Sequence, residues 1–298
     1  MADITDAAYR EIVAKYGKPD VMWTEFVSCD GLCSVAQKKL LIDLRYSEKE
    51  RPIVAQIFGS NPENFYKTAK LIKKMGFDGI DINMGCPDKS IEKQGAGAAL
   101  IKNFELAKEI ISATKKGAGG LPVSVKTRIG YNKIDTANWV KNLILAKPAA
   151  ITLHLRTRKE MSKVPPHWEE IAIAVDLAKN TGVLIFANGD IKDLSEAGAL
   201  AKKHNIDGVM IGRAAIGNPW FFSGRKDITL AEKTKVMLEH AKLFEKYYKN
   251  KRSFLIMRKH MNAYIKGYDN IKPLRVELMK TTNYKEAETV IKKFLAKI

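Results

Sequence analysis

Residues 79 to 100 read GIDINMGCPDKSIEKQGAGAAL. The run Gly79-Ile80-Asp81-Ile82 is short and apolar, and a helix-stopping glycine, Gly76, precedes it. Such a run reads as a buried strand of about four residues. It ends in Asn83-Met84-Gly85-Cys86-Pro87, so an amide and a thiol leave the strand tip together. Pro87 fixes that loop and Gly85 loosens it. In a barrel of parallel strands, residues just past the strand C-termini line the active site. Free cysteines often only pack, but a thiol at a strand tip between Gly and Pro is a candidate catalytic group. Gly95-Ala96-Gly97 lacks the third glycine of a dinucleotide fingerprint and follows no strand directly, so it is not read as one.

The same alternation extends in both directions. Strands are expected at Val21–Thr24, Ile53–Ile57, Val123–Lys126, Ala150–His154, Val183–Ala187 and Val209–Ile211. Helices are expected at Asp3–Tyr16, capped by Asp3 or Thr5, and from Asn61-Pro62 to Gly76. Further helices are expected at Phe104–Thr114, Thr136–Ala146, Trp168–Asn180 and Leu194–His204. Strand–helix alternation over some 200 residues implies a parallel sheet, here a (β/α)8 TIM barrel. Only seven strands are legible, one short of a closed barrel; the chain either lacks one strand or forms an open, seven-stranded barrel. Ser223–Asp227 reads as a linker. After it, Leu230–Tyr248, Phe254–Ile265, Pro273–Lys280 and Lys285–Lys297 read as helices. The expected division is therefore a barrel over residues 1–224 and a small all-helical domain over 228–298.

The chain has 298 residues, 46% of them hydrophobic, enough for a barrel and a small appendage. No apolar run approaches a membrane span and no secretory signal opens the chain. Three cysteines argue against a disulfide framework and for a reducing, cytoplasmic setting. Cys29 and Cys33 have no matching His or Cys cluster, so no metal site is expected. The net charge is +18. From Ile228 to Ile298 there are 17 Lys and Arg against 7 Asp and Glu, so more than half of the surplus sits in the last quarter. That distribution favours a basic module for a polyanion, most often nucleic acid, over a uniformly lysine-rich composition.

Two glycine loops form a candidate anion site. Asn188-Gly189-Asp190 follows one of the last strands and Gly212-Arg213 the next. Glycines there let backbone N–H groups approach a phosphate, and Arg213 adds a charge. Barrels commonly bind phosphate after these two strands. Gln56, Lys126 and His154 end three other strands, with Arg128 and Arg156 two residues beyond. A buried lysine is costly unless it meets an anion or an electron-rich ring.

The segment NMGCPDKSIEKQGAGAALIKN resembles the signature of the tRNA-dihydrouridine synthases, flavin enzymes that reduce uridine in tRNA. The resemblance runs from Asp3 to the last helices. It implies bound FMN, NADPH or NADH as reductant, and tRNA as partner of a cytoplasmic monomer. It makes Cys86 the proton donor to the base and Asn83 a contact to the uracil edge. FMN contacts are implied for Gln56, Lys126, His154, Asn188, Gly189, Asp190, Gly212 and Arg213, and a backbone contact for Met1, which stands where the family has a Pro-Met dipeptide ending its first strand, so the resemblance implies that the first strand is the missing one. Arg128 and Arg156 would hold the target uracil. Phosphate contacts would come from Arg252, Arg258, Lys259, Lys266 and Arg275. Leu155 departs from the family pattern, where glycine is usual. The alternatives are an FMN barrel acting on a free pyrimidine, like the dihydroorotate dehydrogenases, and a catalytically silent RNA-binding remnant.

Overall fold

The structure is a computed structural model, and it describes residues 1–296. Eight parallel strands curl into one sheet: β1 (Met22–Trp23), β2 (Val27–Ser28), β3 (Ile53–Phe58), β4 (Gly79–Met84), β5 (Val123–Arg128), β6 (Ala150–His154), β7 (Leu184–Asn188) and β8 (Gly208–Val209). The ladders run β1-β3-β4-β5-β6-β7-β8, with β2 beside the far end of β3. All seven expected strands are present. Helices wrap the sheet, which gives the TIM-barrel fold its sequence alternation implies. Among the described residues, β1 and β8 are the two ends of the path.

The eighth strand, β2, has a local cause. The Thr24 hydroxyl accepts the Gln56 N–H at 3.0 Å, where a backbone carbonyl would otherwise stand. That interrupts the ladder after β1, and pairing with β3 resumes only at Val27↔Ile57.

Helix boundaries follow their caps. The first helix is Ala7–Tyr16, and its cap is Asp6 rather than Asp3 or Thr5, because Ile4 and Thr5 turn back onto the Met1 carbonyl. Asn61 caps Pro62–Lys74 as its sequence suggests. The next helix runs to Ala118, four residues past Thr114. Gly117 lies inside it because a Cβ there would stand 2.3 Å from the Tyr66 carbonyl of the neighbouring helix. The segment expected as one helix over Trp168–Asn180 begins as a 3-10 turn, Trp168–Glu170, and continues as Ile171–Ala178.

Leu230–Tyr248, Met257–Ile265, Lys272–Leu278 and Tyr284–Leu295 form the helical region. The last residue expected of the final helix, Lys297, and the end of that region, Ile298, lie outside the described residues. Two apolar cores are present. One fills the barrel and the space under its helices, around Ile57, Ile82, Val125 and Leu153. The other is built by Met237, Phe244, Met261 and Leu278 of the helical region together with Ala8, Ile12 and Trp220. The helical region therefore shares its core with the first helix of the chain.

Candidate active site

All strands point the same way, so their C-terminal tips open on one mouth. At the β4 tip, Asn83 is buried and its Oδ1 accepts the N–H groups of Gly85 at 3.1 Å and Cys86 at 2.9 Å. This turn fixes the loop that carries the thiol. From behind, the Cys86 carbonyl accepts the Ala98 N–H at 2.9 Å. Gly97 has φ +60° and passes so close that a Cβ would stand 2.8 Å from that carbonyl. The loop thus requires glycine at 97. Cys86 itself is half-buried, and burial pushes its thiol pKa up. The group is protonated at neutral pH, as a proton donor must be.

Beneath the loop lies a row that the strand register dictates: Gln56 opposite Asp81, and Asp81 opposite Ser124. Asp81 is fully buried. It accepts from Gln56 Nε2 at 2.7 Å and from Ser124 Oγ at 2.6 Å. Burial still raises its pKa. Gln56 Oε1 accepts from Asn83 Nδ2 at 3.2 Å. An amide has one donor end and one acceptor end. The carboxylate below and the loop N–H groups above therefore fix both amides in one orientation.

Next to Asn83 in the strand register, Lys126 Nζ donates to Asn188 Oδ1 at 3.3 Å, and Asn188 Nδ2 donates to the Met210 carbonyl at 2.7 Å. Burial, with Arg128 adding to it, pushes the Lys126 pKa down to about 8. Burial and the charges of Lys126, Arg128 and Arg156 push His154 far below the usual imidazole range, so its ring is neutral. Its Nε2 lies 3.2 Å from Arg156 Nη1.

The two arginines beyond these strands face inward. Arg128 is 6% exposed and bonds the carbonyls of Gly85 at 2.8 Å, Thr157 at 3.1 Å and Met161 at 2.9 Å. Arg156 is 1% exposed. It bonds the Val164 carbonyl at 2.5 Å and the Asp190 carboxylate. Both clamp the loop over residues 157–167, while Arg128 Nη2 has no hydrogen-bond partner among the described residues. Leu155, which stands where the resemblance leads one to expect glycine, is fully buried.

Asp190 is held by Arg156 and by Arg213. Burial alone would raise its pKa, but these two guanidinium groups outweigh that and hold the carboxyl below its usual range. Gly189 passes under Pro166, where a Cβ would come within 2.9 Å of that ring. Gly212 faces open space; a Cβ there would meet only Met1 Sδ, at 3.9 Å. Met1 thus lies over the β8 tip beside the second glycine loop. The cradle formed by Gly189, Gly212, exposed Arg213 and Lys126 fits a phosphate-bearing flavin. The backbone around Gly212 is open to a ligand, and Lys126 has only a neutral amide as hydrogen-bond partner.

In the helical region, Lys259, Lys266 and Arg275 are exposed, and half-buried Arg258 reaches the Thr281 carbonyl at 3.4 Å. Arg252 departs from the phosphate-contact expectation. Its side chain is 15% exposed and pairs with Glu25 at 2.9 Å and with Asp43. Those carboxylates belong to the barrel, so Arg252 ties the helical region to it.

Four contributors do not stand out in the sequence: Asp81, Ser124, Arg158 and Glu92. A carboxylate inside an otherwise apolar strand is the available signal for Asp81, since such a group persists only when hydrogen-bonded. Arg158 repeats the two-residue spacing of His154 and Arg156 along the same loop. Glu92 carries no local signal, because its partner is 66 residues away.

Comparison with known proteins places the chain in a family and a fold. The family described as "Dihydrouridine synthase (Dus)" matches residues 1–298. A probable tRNA-dihydrouridine synthase of Staphylococcus aureus (strain MRSA252) is 42% identical, over 100% of this chain and 92% of that one. A probable tRNA-dihydrouridine synthase 2 of Bacillus subtilis (strain 168) is 37% identical, over 99% and 92%. Among solved structures, histamine dehydrogenase from Rhizobium sp. 4-9 superposes with a TM-score of 0.56 at 12% identity, covering 80% of this chain and 46% of that one. A variant of NCR from Zymomonas mobilis superposes with a TM-score of 0.50 at 16% identity, covering 78% and 85%. These two share the barrel fold. Carrying the Asn83–Cys86 loop, the Lys126 and His154 strand tips and the paired glycine loops, and matched along its whole length, the chain belongs to the dihydrouridine synthase family.

Proposed function

We propose that this protein reduces uridine to 5,6-dihydrouridine in tRNA, using FMN and NADPH or NADH. The observation that carries the reading is the Cys86 loop, buttressed by Asn83 and Ala98 at the same strand-tip mouth as the basic cradle of Lys126, Gly212 and Arg213. The chemistry that bound, reduced FMN would supply is hydride transfer to C6 of the uracil. Cys86 gives its proton to C5 as general acid, and its raised pKa keeps that proton in place beforehand. Asn83 Nδ2 uses one hydrogen for Gln56 and has a second for the uracil edge. Lys126 would meet the flavin's electron-rich edge, and neutral His154 would offer a ring N–H without adding charge. The backbone N–H groups of Gly189, Asp190 and Gly212 and the Arg213 guanidinium would hold the phosphate, with Gln56 and Met1 completing the cofactor contacts. Arg128 and Arg156 set the loop under which the base enters.

The target base must leave its stack to reach the mouth. Phosphate contacts for the tRNA come from Lys259, Lys266, Arg275 and Arg258, which fits the concentration of positive charge in residues 228–298. Residues 1–224 act as the catalytic unit and 228–298 as the tRNA-binding unit, in a cytoplasmic monomer. Among the described residues, no helix is long and apolar enough to cross a membrane. The direct test supplies the purified protein, FMN and NADPH with tRNA that lacks dihydrouridine. Dihydrouridine is expected in the product; a protein that binds FMN and oxidises NADPH but leaves every uridine intact contradicts the reading.

A further inference from the structure

Three loops meet at the barrel mouth, and one arginine touches all of them. Glu92 ends the short Lys89–Glu92 helix that follows Cys86. Arg158 lies in the loop after β6. Its Nε stands 2.8 and 2.9 Å from the two Glu92 oxygens, and Nη2 adds a second donor. The side chains are 23% and 9% exposed, so the pair is largely out of water. The backbone N–H groups of Arg158 and Lys159 bond the carbonyls of Gly130 and Tyr131, both at 2.9 Å, in the loop after β5. The Tyr131 ring has the Arg158 guanidinium 5.4 Å and the Lys102 ammonium 4.3 Å from its centroid.

The other supports of the Cys86 loop come from beneath, through Asn83, from behind, through Ala98, and at its two ends, where Arg128 Nε bonds the Gly85 carbonyl at 2.8 Å and Ser60 Oγ the Gln94 carbonyl at 2.6 Å. On its outer side Asp88, Lys89 and Ser90 are exposed. Among the described residues, Glu92–Arg158 is the one ion pair that residues 86–94 make. Asp88 caps the short helix through Ser90 N at 2.8 Å, so Glu92 and Cys86 move together.

We infer that the Arg158–Glu92 pair is a clasp that holds the Cys86 loop in register with the loops after β5 and β6. Arg158 and Glu92 are thereby positioning residues for proton transfer. The inference rests on the reading of Cys86 as the acid. A guanidinium fork fixes direction as well as distance, which a lysine does not. A displacement of about 1 Å at a reacting group can cost up to about 100-fold in rate.

The test uses full-length protein carrying Glu92→Gln, Arg158→Lys, or the exchanged pair Glu92→Arg with Arg158→Glu. Peptide-level mass spectrometry follows alkylation of Cys86 by iodoacetamide, with exposed Cys33 as internal reference. Glu92→Gln is expected to speed Cys86 alkylation at least about threefold relative to Cys33. It is also expected to slow tRNA-driven flavin reoxidation by roughly tenfold while NADPH-driven reduction is unchanged. Arg158→Lys falls between, and the exchanged pair regains most of both. Wild-type alkylation and reoxidation in Glu92→Gln, or an exchanged pair no better than the single changes, would overturn the clasp. If the wild type itself is not reoxidised by tRNA, the functional reading fails instead, and the alkylation rates with their rescue still decide the clasp.

Discussion

Asn83 accepts the Cys86 backbone N–H at 2.9 Å while donating to Gln56 at 3.2 Å, so the residue that presents the thiol is itself oriented from below by the Asp81 carboxylate. The polar chain from Asp81 through Gln56 to Asn83 has a defined direction of donors and acceptors. Changing an acceptor into a donor at any step reverses the ones above it.

Replacing Asn83 with alanine is expected to leave two loop N–H groups and the Gln56 carbonyl without partners. An orphaned buried polar group costs about 1–3 kcal/mol. Urea unfolding should report a loss in that range, with tRNA-driven reoxidation falling as well. Asn83→Asp keeps both loop N–H acceptors but sets a carboxylate against Gln56 Oε1. It should therefore be no more stable than Asn83→Ala. Full stability in either variant would mean that the loop does not depend on this turn.

The depressed Lys126 pKa gives a pH signature. In the folded protein the group titrates near 8, whereas in an unfolded chain it does so near 10.4. Between those values the unfolded chain binds the extra proton, so this group makes stability rise with pH across that window. With Lys126 at the cofactor as proposed, affinity for FMN should move the opposite way, falling as pH rises through about 8 and the lysine loses its charge. Fluorescence titrations from pH 7 to 9.5 should show this step in the wild type and not in Lys126→Met. A flat profile in the wild type would remove Lys126 from the cofactor site.

Arg213→Ala should weaken FMN binding by about 10- to 100-fold, the scale of one hydrogen bond to a charged group. The fold should be unaffected, since Arg213 is exposed and Arg156 still holds Asp190. Equilibrium dialysis with FMN measures it, and unchanged affinity would place the phosphate elsewhere.

Much of this was legible in the sequence, for physical reasons. The seven strands and their helices follow from apolar runs and caps, as Asn61 capping the Pro62–Lys74 helix illustrates. The candidate site residues at strand tips follow from the rule that parallel barrels work at one end. Asp6 displaced Asp3 and Thr5 as a cap because a turn onto the Met1 carbonyl uses up the preceding residues. The inward aim of Arg128 and Arg156 was not legible, because their partners are carbonyls of a loop whose path the sequence does not encode locally. The same holds for Arg252, whose carboxylates lie more than 200 residues away.

The basic helical region yields to graded substitution better than to deletion. Removing residues 228–298 would uncover Ala8, Ile12 and Trp220, and the remaining barrel is expected to aggregate. Changing exposed Lys259, Lys266 and Arg275 to glutamine should leave thermal stability unchanged. It should weaken tRNA binding and flatten its dependence on salt, by about 0.7–0.9 in slope for each phosphate that is no longer neutralised. Arg252→Gln should instead lower stability, by about 3–5 kcal/mol, because Glu25 is left buried without its cation. Equal salt slopes in the triple variant and the wild type would move the tRNA-binding surface off this face.

The central claim is that Cys86 is the acid, and rapid mixing of the reduced enzyme with tRNA tests it most directly. Cys86→Ala should fold, bind FMN and be reduced by NADPH at the wild-type rate, because neither the phosphate loops nor that half-reaction uses the thiol. Its reoxidation by tRNA should slow by about 10²- to 10⁴-fold, the usual loss with a general acid. Wild-type reoxidation by tRNA in Cys86→Ala would show that the thiol only packs and that the proton comes from another group.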